Sequence, residues 1–160
     1  MKAVFLLLCA AMALTGVAPF RAMPTACPNG WTYISRRCYY YISAKLNWAE
    51  AEKKCLTMNA NLASVHSSSE YSSIQAVIKK ASKASGRTWI GGTDCQMEGI
   101  WLWSDGTAFD YTHCANFDNK QSKQHCLVMN YGGNKCWDDD RCSREFPSVC
   151  VKGRSYPGIG

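Results

Sequence analysis

Cysteine is the residue that most constrains this chain, because ten of its 160 residues are cysteines. One of them, Cys9, lies in an apolar N-terminal stretch, and the other nine are spread between Cys27 and Cys150. In an oxidising compartment such cysteines pair and stabilise a small domain. Nine is an odd number, so one cysteine is left over, and eight paired cysteines allow about 105 pairings. No Cys-x-x-Cys occurs and the three histidines lack zinc-ligand spacing, so the pattern indicates disulfides rather than zinc.

The N-terminus has the three parts of a secretory signal peptide. Lys2 supplies a positive charge, residues 3–14 form an apolar run, and small residues follow at 15–18. The run is too short to cross ~30 Å of hydrocarbon, and no later segment is apolar enough to insert into a membrane. We therefore predict a signal peptide over residues 1–18, cleaved between residues 16 and 22, and a secreted, extracellular protein.

The charge pattern argues against a nucleic-acid partner, and no catalytic set is present. The formal net charge is +6, and the lysine pairs at 53–54 and 79–80 fall in helical patterns, where a solvated face is expected. A nucleic-acid surface would need a basic stripe with interleaved aromatic residues. No nucleophile, base and orienting acid are arranged for catalysis. We therefore expect a binding protein and not an enzyme.

Helix signals are confined to the first half of the domain. Asn47 followed by Glu50 forms a capping box, and the apolar residues behind it, Cys55 among them, repeat at helical spacing. Residues 67–70 (SSSE) form a second capping box, which opens a helix that ends between residues 82 and 86.

The second half predicts short strands around a long loop. Strand patterns occur at residues 89–92 (WIGG), 101–103 (WLW), 126–131 (CLVMNY) and 147–151 (PSVCV). Trp101 and Trp103 alternate along a strand and are expected to fill the core. Residues 107–125 are polar, and loops this long are usually functional or disordered; Cys114 within the loop indicates order. Residues 153–160 are predicted to be a disordered tail.

Several motifs, in their order along the chain, resemble those of the C-type lectin domain family. They are WAEAE at 48–52, NLAS at 61–64, WIGG at 89–92 and WDD at 137–139. Residues 125–137 resemble more narrowly the small soluble lectins of fish (ladderlectin-like and nattectin-like) and the type II antifreeze proteins related to them. The resemblance covers residues 27–150. It implies one α+β domain over residues 27–152, with two helices, small antiparallel sheets, a long ordered loop and about four intrachain disulfides.

The resemblance also implies a disulfide map. Its pairs are Cys27–Cys38, Cys55–Cys150, Cys114–Cys136 and Cys126–Cys142. In the antifreeze relatives a cysteine at the position of Cys95 pairs with one just before the position of Cys126, but His125 stands there in this chain. Cys95 is therefore left over, and two fates stay open for it: a disulfide-linked homodimer, or a free or capped thiol.

The same resemblance places a ligand site between the long loop and the strand that begins near residue 137. In sugar-binding members a calcium ion lies there, bound by roughly six to eight oxygens, two of which come from the sugar. The matching loop triplet here is residues 117–119 (FDN), which lacks the family's middle proline and begins with a residue that offers no oxygen. The candidate ligand-binding residues are Phe117, Asp118, Asn119, Gln124, Trp137, Asp138 and Asp139.

Three interpretations of this site stay open. Calcium could bind at Asn119, Gln124, Asp138 and Asp139. The fold could instead persist without a metal, with residues 138–140 forming a solvated acidic turn. In a third interpretation the same face binds a ligand without calcium, and Trp137 or Phe117 stacks on a sugar ring.

The leading functional prediction is a secreted lectin that binds glycans on microbial or cell surfaces in innate defence, with calcium dependence in doubt. The alternative is a type II antifreeze protein, which the position of Cys95 and the altered triplet favour and the charged loop at 120–124 opposes. A third hypothesis is a lectin-like module that binds a protein partner.

Overall fold

The computed structural model describes residues 27–115 and 117–153. The predicted signal peptide lies outside these residues, and so does the predicted tail apart from residue 153. Within the described ranges, none of the helices is long and apolar enough to cross a membrane.

Helix α1 spans Trp48–Leu56 and begins where the first capping signal predicts. The side chain of Asn47 accepts a hydrogen bond from the amide of Glu50 at 2.9 Å, which satisfies a donor that has no partner within the helix. The inward face of the helix carries Ala51 and Cys55, both with no exposed surface. Helical spacing in the sequence therefore predicted both the start of α1 and its buried side.

Helix α2 spans Ser68–Ser82, and its capping box forms only in part. The hydroxyl of Ser67 accepts a hydrogen bond from the amide of Glu70 at 3.2 Å, as predicted. The carboxylate of Glu70 does not bond the Ser67 amide in return; it accepts a hydrogen bond at 2.7 Å from the amide of His66, one residue earlier.

A second interaction, an ion pair with Arg37 in the protein interior, explains the position of Glu70. Arg37 is 2% exposed, and it also donates hydrogen bonds to the hydroxyl of Ser64 at 2.6 Å and to the Ser64 carbonyl at 3.0 Å. The hydroxyl of Tyr39 donates to Glu70 at 2.6 Å. Burial alone would raise the pKa of Glu70, but the hydrogen bonds from Arg37 and Tyr39 lower it overall. The cluster joins α2 to strand β2, which spans Arg37–Leu46.

Within the described part of the chain, eight strands form one sheet. They are β1 Thr32–Ile34, β2 Arg37–Leu46, β3 Asn61–Leu62, β4 Thr88–Thr93, β5 Leu102–Trp103, β6 Cys126–Tyr131, β7 Cys136–Asp140 and β8 Phe146–Lys152. The order across the sheet is β1-β2-β8-β4-β6-β7, with β3 on β8 and β5 on β4. Among the described strands the only parallel pairing is β4 with β8, through Trp89 and Ser148. That contact joins the expected small antiparallel sheets into one mixed sheet.

Both faces of the sheet are buried. In β6, Leu127 and Met129 belong to the cluster that includes the apolar side of α2, whereas Val128 belongs to the cluster that includes α1. In β4, Trp89 and Ile90 divide in the same way. Successive strand residues point to opposite faces, so a sheet covered on both sides needs continuous apolar runs. These are the runs seen at residues 126–131 and 147–151.

Gly91 allows β3 and β4 to approach each other. A Cβ atom at this position would lie 2.7 Å from the carbonyl oxygen of Leu62. The amide of Gly91 donates to the carbonyl of Ala63 at 2.9 Å, and its own carbonyl accepts from Ser104 at 2.9 Å. A larger residue would separate these segments and displace the start of the long loop.

The four disulfides pair the same cysteines that the resemblance implies. They are Cys27–Cys38, Cys55–Cys150, Cys114–Cys136 and Cys126–Cys142. The second spans 95 residues and ties α1 to β8, and closing a loop of that length contributes ~4 kcal/mol or more in the chain-entropy description. The third ties the long loop to β7.

Candidate functional site

Aromatic rings anchor the long loop, residues 104–125, to the core. The ring of Phe109 lies 4.8 Å from that of Trp103, and the ring of Phe117 lies 4.6 Å from that of Trp101. Trp137 on β7 meets Trp103 edge-on at 5.7 Å. Tilted and edge-on ring pairs at these distances stabilise the fold by more than the burial of their apolar surface alone. The loop is therefore packed against the sheet, as its cysteine indicated.

Trp137 is not available to a ligand. Its exposed fraction is 0%, and Trp103, Phe109 and Tyr111 surround it. The hypothesis that Trp137 stacks on a sugar ring is therefore wrong, because alternation along β7 turns this ring into the core. Phe117 is half-buried, and its packing on Trp101 gives it a structural role in holding the loop.

Asp139 on β7 binds the long loop through two backbone amides. Its carboxylate accepts hydrogen bonds from the amide of Asp118 at 3.1 Å and from the amide of Asn119 at 2.7 Å. Asp139 is 1% exposed. Burial raises the pKa of Asp139, and the two amides partly oppose that rise. Both carboxylate oxygens are thus acceptors for the loop backbone.

Asn119 and Gln124 complete this arrangement from within the loop. The side-chain oxygen of Asn119 accepts from the amide of Gln124 at 3.1 Å, and that of Gln124 accepts from the amide of Lys120 at 2.6 Å. The amide group of Gln124 donates to the carbonyl of Asp139 at 2.9 Å. The loop and β7 therefore hold each other through a closed set of hydrogen bonds around the turn at Lys120–Ser122.

The residues do not fit a calcium ion as they are arranged. Calcium requires roughly six to eight oxygens, but the side-chain oxygens of Asn119, Gln124 and Asp139 already accept hydrogen bonds from backbone amides. Within residues 27–115 and 117–153, neither Asp138 nor Asp139 belongs to a group of three or more acidic, histidine or cysteine side chains close enough to share a metal. Backbone amides of the loop therefore bond to the side-chain oxygens that, by the family resemblance, would bind calcium in sugar-binding members.

Asp138 shows the electrostatic cost of this arrangement. Burial, followed by the negative charges of Asp139 and Asp118, raises the pKa of Asp138 from its ordinary value of 3.8 to about 6. Asp118 is exposed and its carboxylate pairs with the ammonium group of Lys120 at 2.9 Å. A bound divalent cation would have the opposite effect and would lower the pKa values of Asp138 and Asp139.

A second acidic cluster lies beside the loop and was missed by the sequence reasoning. Nδ1 of His125 lies 3.0 Å from Asp94 and 3.4 Å from Glu98, and the side chain of Asn119 donates to Glu98. Asp94 directly follows β4 and His125 directly precedes β6, which pair through Thr93 and Cys126. The pairing of β4 with β6 is the signal from which the cluster could have been predicted. Its one nitrogen and two carboxylates could hold a cation.

An open cleft of about 420 Å³ lies beyond Gln124. Sequence reasoning missed it because three of its seven lining residues come from the turn between β7 and β8. Its lining residues are Lys120, Gln121, Gln124, Asp140, Arg141, Ser143 and Arg144. The buried carboxylate of Asp140 lies 3.2 Å from Arg87 and 3.1 Å from Arg144. The charged side chains that line the cleft are predominantly basic: Lys120, Arg141 and Arg144, against Asp140.

Cys95 is free and exposed. Its Sγ lies 3.6 Å from Sγ of Cys142 and 3.8 Å from the carbonyl oxygen of His125. The thiol is therefore accessible from outside and is also in contact with the Cys126–Cys142 disulfide.

Comparison with known proteins agrees with this geometry. Residues 44–152 match the lectin C-type domain. Ladderlectin from Oncorhynchus mykiss is 37% identical over 124 residues, which cover 76% of this chain and 65% of that protein, just under two thirds of its length. Galactose-specific lectin nattectin from Thalassophryne nattereri is 36% identical over 151 residues, which cover 93% of this chain and 94% of that protein.

A solved structure with the same arrangement is that of herring type II antifreeze protein. The TM-score is 0.74 at 35% sequence identity, and the match covers 79% of this chain and 98% of the herring protein.

Proposed function

This chain belongs to the lectin C-type domain family, and from that premise we propose that it is a secreted protein that binds glycans on microbial or other cell surfaces in innate defence. The observation that carries the proposal is the ordered loop on β7 beside an open cleft of about 420 Å³. Sugar sites need such a face, since a few fixed polar groups orient the ligand. Secretion is supported by the four disulfides, which persist in oxidising compartments.

Binding is independent of calcium in this proposal. Asp139 holds the loop through the amides of Asp118 and Asn119, so the binding face is formed without a metal. The ligand then contacts polar side chains of the cleft, among them Gln121 and Ser143.

A glycan array and a bacterial-binding assay, each with calcium and with a chelator, test the function. Galactosides are the first ligands to measure, because nattectin is described as galactose-specific. We expect equal binding with and without chelator, and a loss of binding in the double variant Gln121→Ala/Ser143→Ala. Ser72→Ala, an exposed serine on α2, is the matched control. Loss of binding with chelator would refute calcium independence, and the absence of any glycan bound would refute the lectin function.

Avidity supports a dimeric form, because a lectin with one site per chain binds weakly. Three exposed apolar side chains follow the exposed Cys95 within seven residues of the chain: Met97 is 65% exposed, Ile100 55% and Leu102 47%. We propose that a second copy covers this patch and that a Cys95 disulfide links the two. Non-reducing electrophoresis should show a dimer that Cys95→Ser abolishes; a monomer band alone from the wild type would refute it.

Ice binding is the second candidate function, favoured by the 35% identity to herring type II antifreeze protein and by the exposed apolar side chains at Met97, Ile100 and Leu102. Thermal hysteresis of the purified protein at millimolar concentration decides between the two. A freezing-point gap that Ile100→Lys removes would establish ice binding, and its absence would exclude that activity.

A further inference from the structure

Positive charge exceeds negative charge around the cleft. Lys120, Arg141 and Arg144 line it together with the carboxylate of Asp140, and Lys120 is paired with Asp118 at 2.9 Å. Asp140 lies within ion-pair distance of two guanidinium groups, those of Arg144 at 3.1 Å and Arg87 at 3.2 Å. One carboxylate offsets only one of these two charges, so this side of the cleft keeps a surplus cation.

Arg141 adds a charge that no carboxylate meets. Its guanidinium donates to the neutral side-chain oxygen of Gln121, and no described carboxylate lies within ion-pair distance of it. The backbone of Arg141 is held in place, since the amide of Arg144 donates to the Arg141 carbonyl at 2.9 Å and the next residue, Cys142, is bonded to Cys126. The planar fork of a guanidinium also loses little entropy for each hydrogen bond that it forms with an anion.

We propose that the cleft binds the anionic group of an acidic sugar, a sulfate or a carboxylate, so that the ligand class is an acidic glycan. The proposal rests on the lectin function and specifies its ligand. Arg141 and Arg144 present planar forks of N–H donors, which suit such oxyanions, while Gln121 and Ser143 are placed to meet sugar hydroxyls. The volume of the cleft, about 420 Å³, lies in the range of roughly 300–1,000 Å³ that is typical of small-molecule sites.

Titration calorimetry in the presence of chelator, with galactose, galactose 6-sulfate and galacturonic acid, tests this ligand class. We expect at least one acidic sugar to bind about tenfold more tightly than galactose, as one charge-assisted hydrogen bond provides. The two acidic sugars distinguish sulfate from carboxylate. The preference should disappear in Arg141→Gln and persist in Lys54→Gln, an exposed control on α1, and it should weaken as salt rises.

Equal affinity for all three sugars would overturn the acidic-ligand proposal and leave the lectin function standing. An acidic preference that survives Arg141→Gln would also overturn it, because the charge would then act elsewhere. Failure of every sugar to bind would refute the lectin function as well. Unfolding in urea confirms that each variant is folded, and Arg141→Lys, which keeps the charge without the fork, should retain part of the preference.

A different set of atoms supports a second proposal, at the cysteine cluster. Sγ of Cys95 touches Sγ of Cys142 at 3.6 Å, and the three sulfurs of Cys95, Cys126 and Cys142 lie within 4.8 Å of one another. Cys95 is exposed, whereas Cys126 has no exposed surface. A thiol in contact with a disulfide sulfur is in position for thiol–disulfide exchange.

We infer that Cys95 exchanges with the Cys126–Cys142 disulfide. The Cys95 thiolate attacks Sγ of Cys142, a Cys95–Cys142 bond forms, and the Cys126–Cys142 bond breaks. Cys126 leaves as a thiolate and takes from water the proton that Cys95 released, so no oxidant or reductant is consumed. The product carries its free thiol inside the protein, and this isomer has no accessible thiol for a second chain.

Disulfide mapping tests the exchange. Wild-type monomer, separated from any disulfide-linked dimer, is unfolded in acid with a thiol-blocking maleimide and digested, and we expect labelled Cys126 alongside labelled Cys95. In Cys126→Ser, a Cys95–Cys142 disulfide should form and give a monomer without free thiol, while Cys126→Ser/Cys95→Ser is the control with Cys142 free. Label on Cys95 alone in the wild type, after incubation at neutral pH, would overturn the proposal even if the variants fail to fold.

Discussion

Replacing Asp138 with asparagine should stabilise this protein at neutral pH. Asp138 lies on β7 and is 4% exposed. Its pKa is raised from 3.8 to about 6, first by burial and then by the negative charges of Asp139 and Asp118. Asparagine keeps the shape of the side chain and carries no charge. The substitution therefore removes an electrostatic cost without opening a cavity.

The magnitude follows from the shift in pKa. A pKa difference of one corresponds to about 1.4 kcal/mol. The rise in the pKa of Asp138 from 3.8 to about 6 therefore costs the folded state at most about 3 kcal/mol once Asp138 is ionised. The buried amide of asparagine has its own desolvation cost. We therefore expect a net gain of about 1–2 kcal/mol, or a rise in Tm of roughly 3–8 °C for a domain of this size.

The gain depends on pH in a defined direction. Below 3.8, the ordinary pKa of Asp138, the folded and unfolded chains are both protonated at this residue and the charge costs nothing. As pH rises towards 6, the unfolded chain loses its proton first, so wild-type stability falls. Above the folded-state pKa of about 6 the cost is complete. The advantage of Asp138→Asn should therefore be full at neutral pH and absent in acid.

Urea unfolding followed by tryptophan fluorescence, with disulfides intact, measures the effect at about pH 7.5 and about pH 3.5. Asp139→Asn is the matched control and should have the opposite sign. Asparagine has one acceptor oxygen for the two loop amides, and an unpaired buried donor costs about 1–3 kcal/mol. A loss of stability in Asp138→Asn at neutral pH would refute the reasoning, as would an equal gain at both pH values.

Three further outcomes are expected. Glu70→Gln should destabilise the protein by about 2–4 kcal/mol, because it leaves the buried charge of Arg37 without its main partner. Since the pKa of Glu70 is lowered from 4.5, the difference in stability between wild type and variant should shrink as pH falls below that value. Urea unfolding midpoints in acid and at neutral pH measure this change. Trp137→Ala should cost about 3–5 kcal/mol of stability, whereas a folded Trp137→Phe should bind glycans as the wild type does in the array. Calcium removal should leave both Tm and glycan binding unchanged, and a fall in Tm with chelator would contradict the absence of a calcium site.

Helix starts and strand faces could be predicted because their causes are local. Asn47 caps α1 and Ser67 caps α2, each through the amide three residues later, and a capping interaction of that range is visible in the sequence. The destination of the Glu70 carboxylate was not visible, since its partner Arg37 lies on another strand and was brought to it by the packing of α2.

The candidate site also divides into features with local causes, which could be predicted, and features set by tertiary packing, which could not. Family resemblance placed the loop triplet at 117–119 beside β7, where Asp139 accepts hydrogen bonds from the amides of Asp118 and Asn119, and it implied the disulfides. The side of β7 on which each residue lies could not be read from a short strand next to a loop, so Trp137 was assigned to the ligand and proved to be core.

Residue types and spacing over a few positions were enough to predict a disulfide-bonded domain with capped helices, apolar strands and one unpaired cysteine. The hydrogen bonds from the amides of Asp118 and Asn119 to Asp139, and the contact of Cys95 with the Cys126–Cys142 disulfide, are visible only in the folded structure. Both depend on distances between segments far apart in the chain, which are set when the two faces of one sheet are packed together.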